Sequence, residues 1–261
     1  MSPGVRPALR VMLRSLALLA MILAVIPSQL LVLAFTRGPA SLRLPALFHR
    51  LFCRVLGIQV ELRGSPVPDR QAVFISNHLS HLDVSVIGGV VRACFVAKQD
   101  VRGWPLFGAL SRLQQTVFIT RDPRRVADAV ASIREALQAG HRLVLFPEGT
   151  TSDGSAVLPF KSSSFSVLAD PAMQDVVLQP MTVELLGTDG RAIANGGKRD
   201  LYAYHRDMTL VPHLLAFMAG AGARLRLHFH APLERQPAQT RKQLASAAQA
   251  QVAAPLLRSA Q

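Results

Sequence analysis

The sequence contains few cysteines and few acidic residues, and both shortages exclude classes of protein. Two cysteines, Cys53 and Cys94, occur in 261 residues. This is too few for a disulfide framework, and no CxxC or paired Cys/His spacing typical of a zinc site is present. The 16 acidic residues stand against 29 lysines and arginines, which gives a formal net charge of +13. So basic a chain indicates a polyanionic partner, either nucleic acid or an anionic membrane surface.

Aromatic residues are also scarce, at 6% of the chain, with one tryptophan and two tyrosines. The alternation of aromatic and basic residues that binds single-stranded nucleic acid is not found. We therefore favour an anionic membrane surface, and not nucleic acid, as the partner. No G-x-S-x-G motif occurs, which argues against a serine hydrolase.

A long apolar segment lies near the N-terminus. Residues 15–36 carry no charge, and as a helix they would measure roughly 30 Å, the thickness of a bilayer core. The segment is longer than the apolar part of a signal peptide and no A-x-A cleavage site follows it, which favours an uncleaved anchor. Pro27 interrupts it, so both a kinked span and a re-entrant hairpin remain open. Arginines flank both ends, so the positive-inside rule gives no orientation.

Residues 44–57 continue this N-terminal part with a helical pattern. Apolar side chains recur at helical spacing, while His49, Arg50 and Arg54 occupy other positions around the helix. The pattern indicates an interfacial amphipathic helix, and a core helix with a solvated basic side is the alternative. We therefore predict a membrane anchor and interfacial helix over residues 1–57.

From residue 58 onward, short apolar runs alternate with helical patterns. Runs typical of strands occupy 58–64, 72–76, 93–98, 116–120, 142–146, 176–185 and 223–231. Helical patterns cover residues 122–140 and 241–258. Strands separated by helices predict an α/β fold over residues 58–261, with a mixed, largely parallel sheet flanked by helices.

The stretch NHLSHLD, Asn77 to Asp83, directly follows one predicted strand. Histidine is the side chain best suited to act as a general base near neutral pH, and a carboxylate on its other ring nitrogen sets the tautomer. His78 and Asp83 are five residues apart and can meet across a strand-to-helix turn. His81 with Asp83 is an alternative metal-ligand pair, but no third ligand lies near it in the sequence, and we expect no metal.

A second polar stretch, LFPEGTTSDG at residues 145–154, follows another predicted strand. Pro147 and Gly149 shape a loop with exposed amides, which suits a polar or anionic head group. Arg121 ends a third predicted strand, and a planar guanidinium suits phosphate. We expect the three stretches to converge on one edge of the sheet.

These stretches resemble the sequence blocks of the glycerolipid acyltransferase family, which includes the 1-acylglycerol-3-phosphate acyltransferases. NHLSHLD is similar to the family's N-H-x4-D block and FPEGT to its second diagnostic block. VFITR, which ends at Arg121, resembles the intermediate arginine block, and LQPMTV, which contains Pro180, resembles the last one. The resemblance extends over residues 60–190 and implies that residues 58–261 form an acyltransferase domain.

The resemblance implies an enzyme that moves a fatty acyl group from acyl-CoA or acyl carrier protein to the free hydroxyl of a lysolipid, in phospholipid biosynthesis. It implies no cofactor beyond that acyl thioester co-substrate, no metal and no covalent enzyme intermediate. It also implies an enzyme of the cell inner membrane whose active site faces the cytoplasm. His78 would be the general base and Asp83 its orienting carboxylate, while His81 would support the loop. The substrate-binding residues would be Arg121, Glu148, Gly149, Thr150 and Thr151, and the supporting residues Asn77, Ser80, Pro147 and Pro180.

The sequence departs from the family pattern at Thr151, where many lysophosphatidate-type members have arginine. Lys161 is a candidate replacement for that lost charge. The segment downstream, including YAYHRDM, is more similar to the branch that contains lyso-ornithine-lipid and lysophosphatidylcholine acyltransferases. Our first hypothesis is a 1-acylglycerol-3-phosphate O-acyltransferase. The similarity of the downstream segment makes a lyso-ornithine-lipid O-acyltransferase the alternative. Further alternatives are a thioesterase or hydrolase with the same His-Asp pair and a basic membrane-binding or nucleic-acid-binding protein without catalysis.

Overall fold

The computed structural model describes residues 5–68, 70–120, 124, 126–236 and 239–259. Its α-helices are α1 Val5–Phe35, α2 Arg43–Leu56, α3 Asp83–Gly88, α4 Phe107–Leu113, α5 Val126–Gln138, α6 Leu210–Ala219 and α7 Arg241–Ser259. Its strands are β1 Ile58–Arg63, β2 Ala72–Ser76, β3 Cys94–Lys98, β4 Val117–Ile119, β5 Leu143–Leu145, β6 Val177–Thr188, β7 Arg191–Ala192 and β8 Ala223–Phe229. All seven strands expected from the sequence are present, and the two-residue β7 is an additional strand.

The strands form one sheet in the order β1-β8-β6-β2-β5-β3-β4, with β7 paired to β6 outside this path. The pairings are parallel except where β6 meets β7 and β8. The prediction of a mixed, largely parallel sheet in an α/β fold is therefore confirmed. Because β2 and β5 lie side by side and run in the same direction, the loops that follow them open at the same end of the sheet.

Both faces of the central strands are covered, which explains their nearly continuous apolar sequences. Successive side chains of a strand point to opposite faces. Phe74 of β2 accordingly lies in a core cluster with α3 residues on one face, and Val73 and Ile75 lie in a second cluster with α5 and α7 residues on the other. β2 is buried along its whole length, so it provides a rigid support for the loop that begins at Asn77.

Helix α1 contains the long apolar segment. Among the described residues, Arg6–Phe35 forms the one helix that is long and apolar enough to cross a membrane. The helix continues through Pro27 without a break, and the hydroxyl of Ser28 donates to the carbonyl of Ala24 at 2.8 Å. The segment is thus a single helix, and the alternative of a re-entrant hairpin within residues 15–36 was wrong.

One side of α1 is attached to the α/β fold. Arg14 donates from Nη1 to two main-chain carbonyls at the end of α6, at 2.7 and 2.8 Å. Gln29 donates from Nε2 to the carbonyls of Ser41 and Leu113, at 3.0 and 3.1 Å. Residues 14 and 29 are roughly 22 Å apart along a helix, so α1 lies against the rest of the protein over that length. The predicted division at residue 57 into an anchor and an acyltransferase domain stays a prediction.

Helix α2 buries a histidine that lies outside its apolar pattern in the sequence. His49 is buried, and its ring nitrogens contact Ser85 Oγ at 3.1 Å and Gln114 Oε1 at 3.0 Å. Burial lowers the pKa of His49 to about 4, so the ring is neutral. Leu47 is exposed, whereas Leu56 is part of the core. His49 is buried because partners distant in sequence contact its ring nitrogens inside the protein.

Candidate active site

The two polar stretches identified in the sequence meet at the carboxyl ends of β2 and β5. Glu148 Oε1 accepts a hydrogen bond from the main-chain N–H of His78 at 3.1 Å. The main-chain N–H of Ser152 donates to the carbonyl of His78 at 2.9 Å. The N–H and the carbonyl of His78 are thus both bonded to the second loop. These bonds fix the position of the His78 main chain, from which the imidazole extends.

His78 and Asp83 form the expected pair. His78 Nδ1 lies 2.8 Å from Asp83 Oδ2, and the His78 ring is partly exposed while the Asp83 carboxylate is fully buried. The ring stacks on Phe146, with centroids 3.9 Å apart and planes 15° apart. An ionised carboxylate accepts from Nδ1–H and so leaves the lone pair on Nε2. Nε2 has no hydrogen-bond partner in the described part of the chain. The imidazole is therefore oriented to accept a proton from a substrate.

The Asp83 carboxylate is held by three further donors. Oδ2 accepts from the main-chain N–H groups of Leu79 and Ser80, at 2.7 and 2.9 Å. Oδ1 accepts from the hydroxyl of Tyr202 at 2.7 Å. Hydrogen bonds to a charged acceptor are the stronger kind, and together they allow the carboxylate one orientation. Asp83 is thus positioned by the turn that carries His78 and by a residue from a distant segment.

Tyr202 is the site residue that the sequence reading missed. Its side chain is fully buried, and burial together with the charge of Asp83 raises the pKa of its phenol well above the usual value. The phenol therefore stays protonated and acts as a donor. It lies 119 residues from Asp83, so no spacing rule links the two. The one signal in the sequence was its place in the YAYHRDM segment. That segment had indicated only a similarity to the branch that contains lyso-ornithine-lipid acyltransferases.

We expect Tyr202→Phe to lower kcat/KM by roughly tenfold and to move the acid limb of the pH–rate profile to higher pH. A hydrogen bond to a buried charge contributes about 1.5–3 kcal/mol. Without the phenol, Asp83 holds the proton of the imidazolium more tightly, so a higher pH is needed to free the base. The measurement is kcat/KM against pH for both enzymes. A uniform loss with an unmoved acid limb would mean that Tyr202 serves only packing.

Asn77 and Ser80, predicted to be supporting residues, hold the ends of this turn. The side-chain amide of Asn77 donates to the carbonyl of Val183 at 2.9 Å and accepts from the N–H of Val183 at 2.8 Å. It thereby extends the β2–β6 pairing past the end of β2. Ser80 Oγ accepts from the N–H of Leu82 at 3.3 Å. Both contacts restrict the segment between His78 and Asp83.

Glu148 lies beneath the site, with 2% of its surface exposed. Burial raises the pKa of its carboxyl to about 8, and the charge of Asp83 adds to the effect, although the N–H groups of His78 and Leu158 oppose it. At neutral pH the carboxyl is therefore mostly protonated. Its observed contact is to the main chain of His78. A direct contact with substrate stays a prediction.

The raised pKa of Glu148 makes a testable contribution to stability. Its pKa rises from 4.5 to about 8 on folding, so its contribution is fully present below about pH 4.5 and is lost as the pH rises towards 8. Glu148→Gln keeps an acceptor for the His78 N–H and cannot ionise. We expect the melting temperature of the variant to fall less than that of the wild type between pH 5 and pH 8. Equal pH dependence of the two melting temperatures would contradict the burial of a protonated carboxyl.

The remaining predicted residues of the second loop lie around its turn. Gly149 has a φ of +70°, a conformation that favours glycine. The carbonyl of Pro147 accepts from the N–H of Lys161 at 3.0 Å. Thr150 is exposed and Thr151 is partly exposed. Arg121 lies outside the described residues. The substrate-binding roles of these residues stay predictions.

Pro180 lies within β6, beside Ile75 of β2, and not on the loops of the site. Its carbonyl accepts from the N–H of His230, just past the end of β8. Proline has no main-chain N–H to donate. Pro180 lies at the point in β6 where the pairing with β8 ends. Pro180 therefore supports the site through the sheet.

His81 makes no hydrogen bond through either ring nitrogen among the described residues. Its ring packs edge-on against Tyr204 and His213, with centroids 5.3 and 5.2 Å away. Burial lowers its pKa to about 3. Within the described chain, no group of three or more His, Cys, Asp or Glu side chains is arranged to hold a metal ion. A metal-free reaction stays an expectation.

Comparison with known proteins agrees with this geometry. A model of the acyltransferase family matches residues 59–184. A lyso-ornithine lipid O-acyltransferase from Brucella abortus is 34% identical over 257 residues, which cover 97% of this chain and 95% of the relative. A 1-acyl-sn-glycerol-3-phosphate acyltransferase from Neisseria gonorrhoeae is 35% identical over 118 residues, which cover 44% of this chain and 45% of the relative. The crystal structure of the 1-acyl-sn-glycerophosphate acyltransferase PlsC from Thermotoga maritima has a TM-score of 0.68 at 20% identity, over 97% of both chains, and shows a shared fold.

Proposed function

The chain belongs to the acyltransferase family, and from that membership we propose that His78 and Asp83 transfer a fatty acyl group from a thioester to the free hydroxyl of a lysolipid. The observation that carries the proposal is the 2.8 Å contact between His78 Nδ1 and Asp83 Oδ2. It leaves Nε2 as the basic nitrogen of a partly exposed ring. A hydroxyl that reaches Nε2 can give up its proton while it attacks a carbonyl.

The reaction needs one base that also serves as an acid. As the acceptor oxygen bonds to the thioester carbonyl carbon, its proton passes to His78 Nε2. Asp83 stabilises the imidazolium that results. When the carbon–sulfur bond breaks, the same proton passes to the departing thiolate, so that an ester and a free thiol leave the enzyme. We propose acyl-CoA or acyl carrier protein as the thioester, and no step requires a covalent bond to the protein.

We propose lyso-ornithine lipid as the preferred acceptor and 1-acylglycerol-3-phosphate as the second candidate. In sequence, a relative named for the first lipid matches nearly the whole chain, whereas the relative from Neisseria gonorrhoeae named for the second matches less than half of it. Thr151 is neutral at the position where lysophosphatidate-type members often have arginine. A doubly charged phosphate loses more from a missing cation than a zwitterionic head group does.

The test is to incubate the purified protein with each lysolipid and either thioester, and then to separate the lipid products. We expect acylated lyso-ornithine lipid, with a higher kcat/KM than for lysophosphatidate. Thioester consumption that is equally fast without any acceptor would identify a hydrolase instead. Turnover of lysophosphatidate alone would reverse our order of acceptors.

We further propose that the protein is held in the cell inner membrane, with its active site facing the cytoplasm, where acyl thioesters occur. The side of α1 that faces away from the rest of the protein is strongly apolar. Its exposed large side chains are Leu9, Met12, Leu13, Leu16, Leu19, Leu23, Leu30, Leu31 and Phe35. Val211 and Leu215 of α6, which packs on α1, are exposed as well. Such a surface favours burial in lipid over contact with water.

We expect the intact protein to stay with membranes in about 1 M salt, because apolar burial is insensitive to charge screening. Leu19→Glu/Leu23→Glu places two charges on side chains that are 53% and 66% exposed, and should release most of the protein. Leu62→Glu is the matched control, since this leucine is 50% exposed on the edge strand β1. The measurement is the sedimented fraction. Release of the wild type by salt alone would contradict an embedded helix.

A further inference from the structure

Lys161 places an ammonium group against the second loop of the site. The main-chain N–H of Lys161 donates to the carbonyl of Pro147 at 3.0 Å, which ties the lysine to the loop. A Cβ added to Gly149 would lie 2.9 Å from Lys161 Nζ and 3.3 Å from Cδ and Cε. The lysine stem therefore lies across Gly149. A side chain at position 149 would displace the flexible end of this lysine, and the φ of +70° is what favours glycine here.

The charge of this lysine is available to a ligand. Lys161 is exposed, and within the described chain its ammonium forms no ion pair. Glu148, which directly precedes Gly149, is buried and mostly protonated at neutral pH, and Asp153 of the same loop accepts hydrogen bonds from Ser155. The loop thus presents a cation that no described carboxylate neutralises.

That cation lies on the loop that is bonded to the main chain of His78. Gly149, which contacts Lys161, directly follows Glu148, and Glu148 is bonded to the main chain of His78. A lysolipid whose hydroxyl reaches His78 Nε2 must place its head group within a few bonds of that point. The neutral Thr151 lies two residues further along the same loop.

We propose that Lys161 binds the anionic group of the acceptor's head group and thereby takes the place of the arginine that Thr151 replaces. The inference rests on the proposed function, since it names the ligand of the same site. One lysine matches the single negative charge of a carboxylate and leaves part of a phosphate dianion unpaired. The ligand class is therefore a lysolipid with one oxyanion near its free hydroxyl, and a carboxylate is favoured over a phosphate.

The test combines one substitution in the enzyme with one chemical change in the lipid. The enzymes are the wild type and Lys161→Met, and the acceptors are lyso-ornithine lipid and the analogue whose carboxylate is a carboxamide. We expect the wild type to favour the carboxylate by roughly 10- to 100-fold in kcat/KM, the range for a charge-assisted hydrogen bond. Lys161→Met should lose that preference and retain the wild-type kcat/KM for the carboxamide. Equal losses on both acceptors would show a structural role and overturn the proposal.

Two control variants and one further readout complete the design. Lys161→Arg should keep most of the preference, and Lys242→Met, which removes an exposed lysine of α7, should leave it unchanged. The same four combinations are measured by equilibrium binding of the lipids in detergent. Selective binding without turnover would contradict the proposed function and support the role of Lys161, whereas binding that ignores the carboxylate would overturn that role. A parallel pair, lysophosphatidate against 1-acylglycerol, tests phosphate as the source of the oxyanion.

Discussion

His78→Ala is expected to lower kcat/KM by at least about 100-fold while the protein remains folded. The loss follows because, in the proposed reaction, Nε2 of the partly exposed ring takes the acceptor proton. The fold should survive, since the hydrogen bonds that tie this residue to Glu148 and Ser152 use its main chain. The measurement is kcat/KM on the preferred lysolipid, with circular dichroism as the check on folding.

His81→Ala is the matched control for this prediction. His81 lies in the same turn, but its ring nitrogens make no hydrogen bond among the described residues. Its ring packs edge-on against Tyr204 and His213. We expect its removal to cost much less activity. Loss of turnover in His81→Ala, with activity kept in His78→Ala, would reverse the assignment of the base.

Asp83→Asn should lower kcat/KM by a factor of roughly 10² to 10⁴, since the imidazolium loses its counter-charge. The substitution fits the site. The amide oxygen can take the place of Oδ2, which accepts from His78 and from the main-chain N–H groups of Leu79 and Ser80. The amide nitrogen then faces Tyr202, whose hydroxyl can turn from donor to acceptor.

This geometry separates the electrostatic role of Asp83 from its structural one. We expect the melting temperature of Asp83→Asn to change little compared with that of Asp83→Ala, which leaves buried donors unpaired. The measurement is activity and melting temperature for both variants. Near-normal activity in Asp83→Asn would mean that orientation, and not charge, is what Asp83 provides.

The sequence alone was sufficient for the fold class and for the contact between His78 and Asp83. The central strands β2 and β5 were short apolar runs, and such runs are buried on both faces in a largely parallel sheet. His78 and Asp83 lie five residues apart, so one turn brings them together. The second loop was predicted next to them because β2 and β5 each end in a polar stretch.

The sequence did not predict the burial of His49 or the part played by Tyr202. A helical pattern indicates which residues share a side of a helix. It does not indicate which distant groups form hydrogen bonds with a polar residue on that side. His49 is buried because Ser85 and Gln114 meet its nitrogens. Tyr202 reaches Asp83 from a segment with no regular spacing to it.

The sequence by itself determined the period of each element, the apolar character of α1 and the contact between His78 and Asp83, since these depend on neighbours within one turn or one strand. The tertiary structure alone decided that α1 lies against the rest of the protein through Arg14 and Gln29, and that Lys161 crosses Gly149. The physical reason is that hydrogen bonds and charges act between side chains according to their distance in space. Packing of the sheet and its helices brings together residues that the order of the chain leaves unrelated.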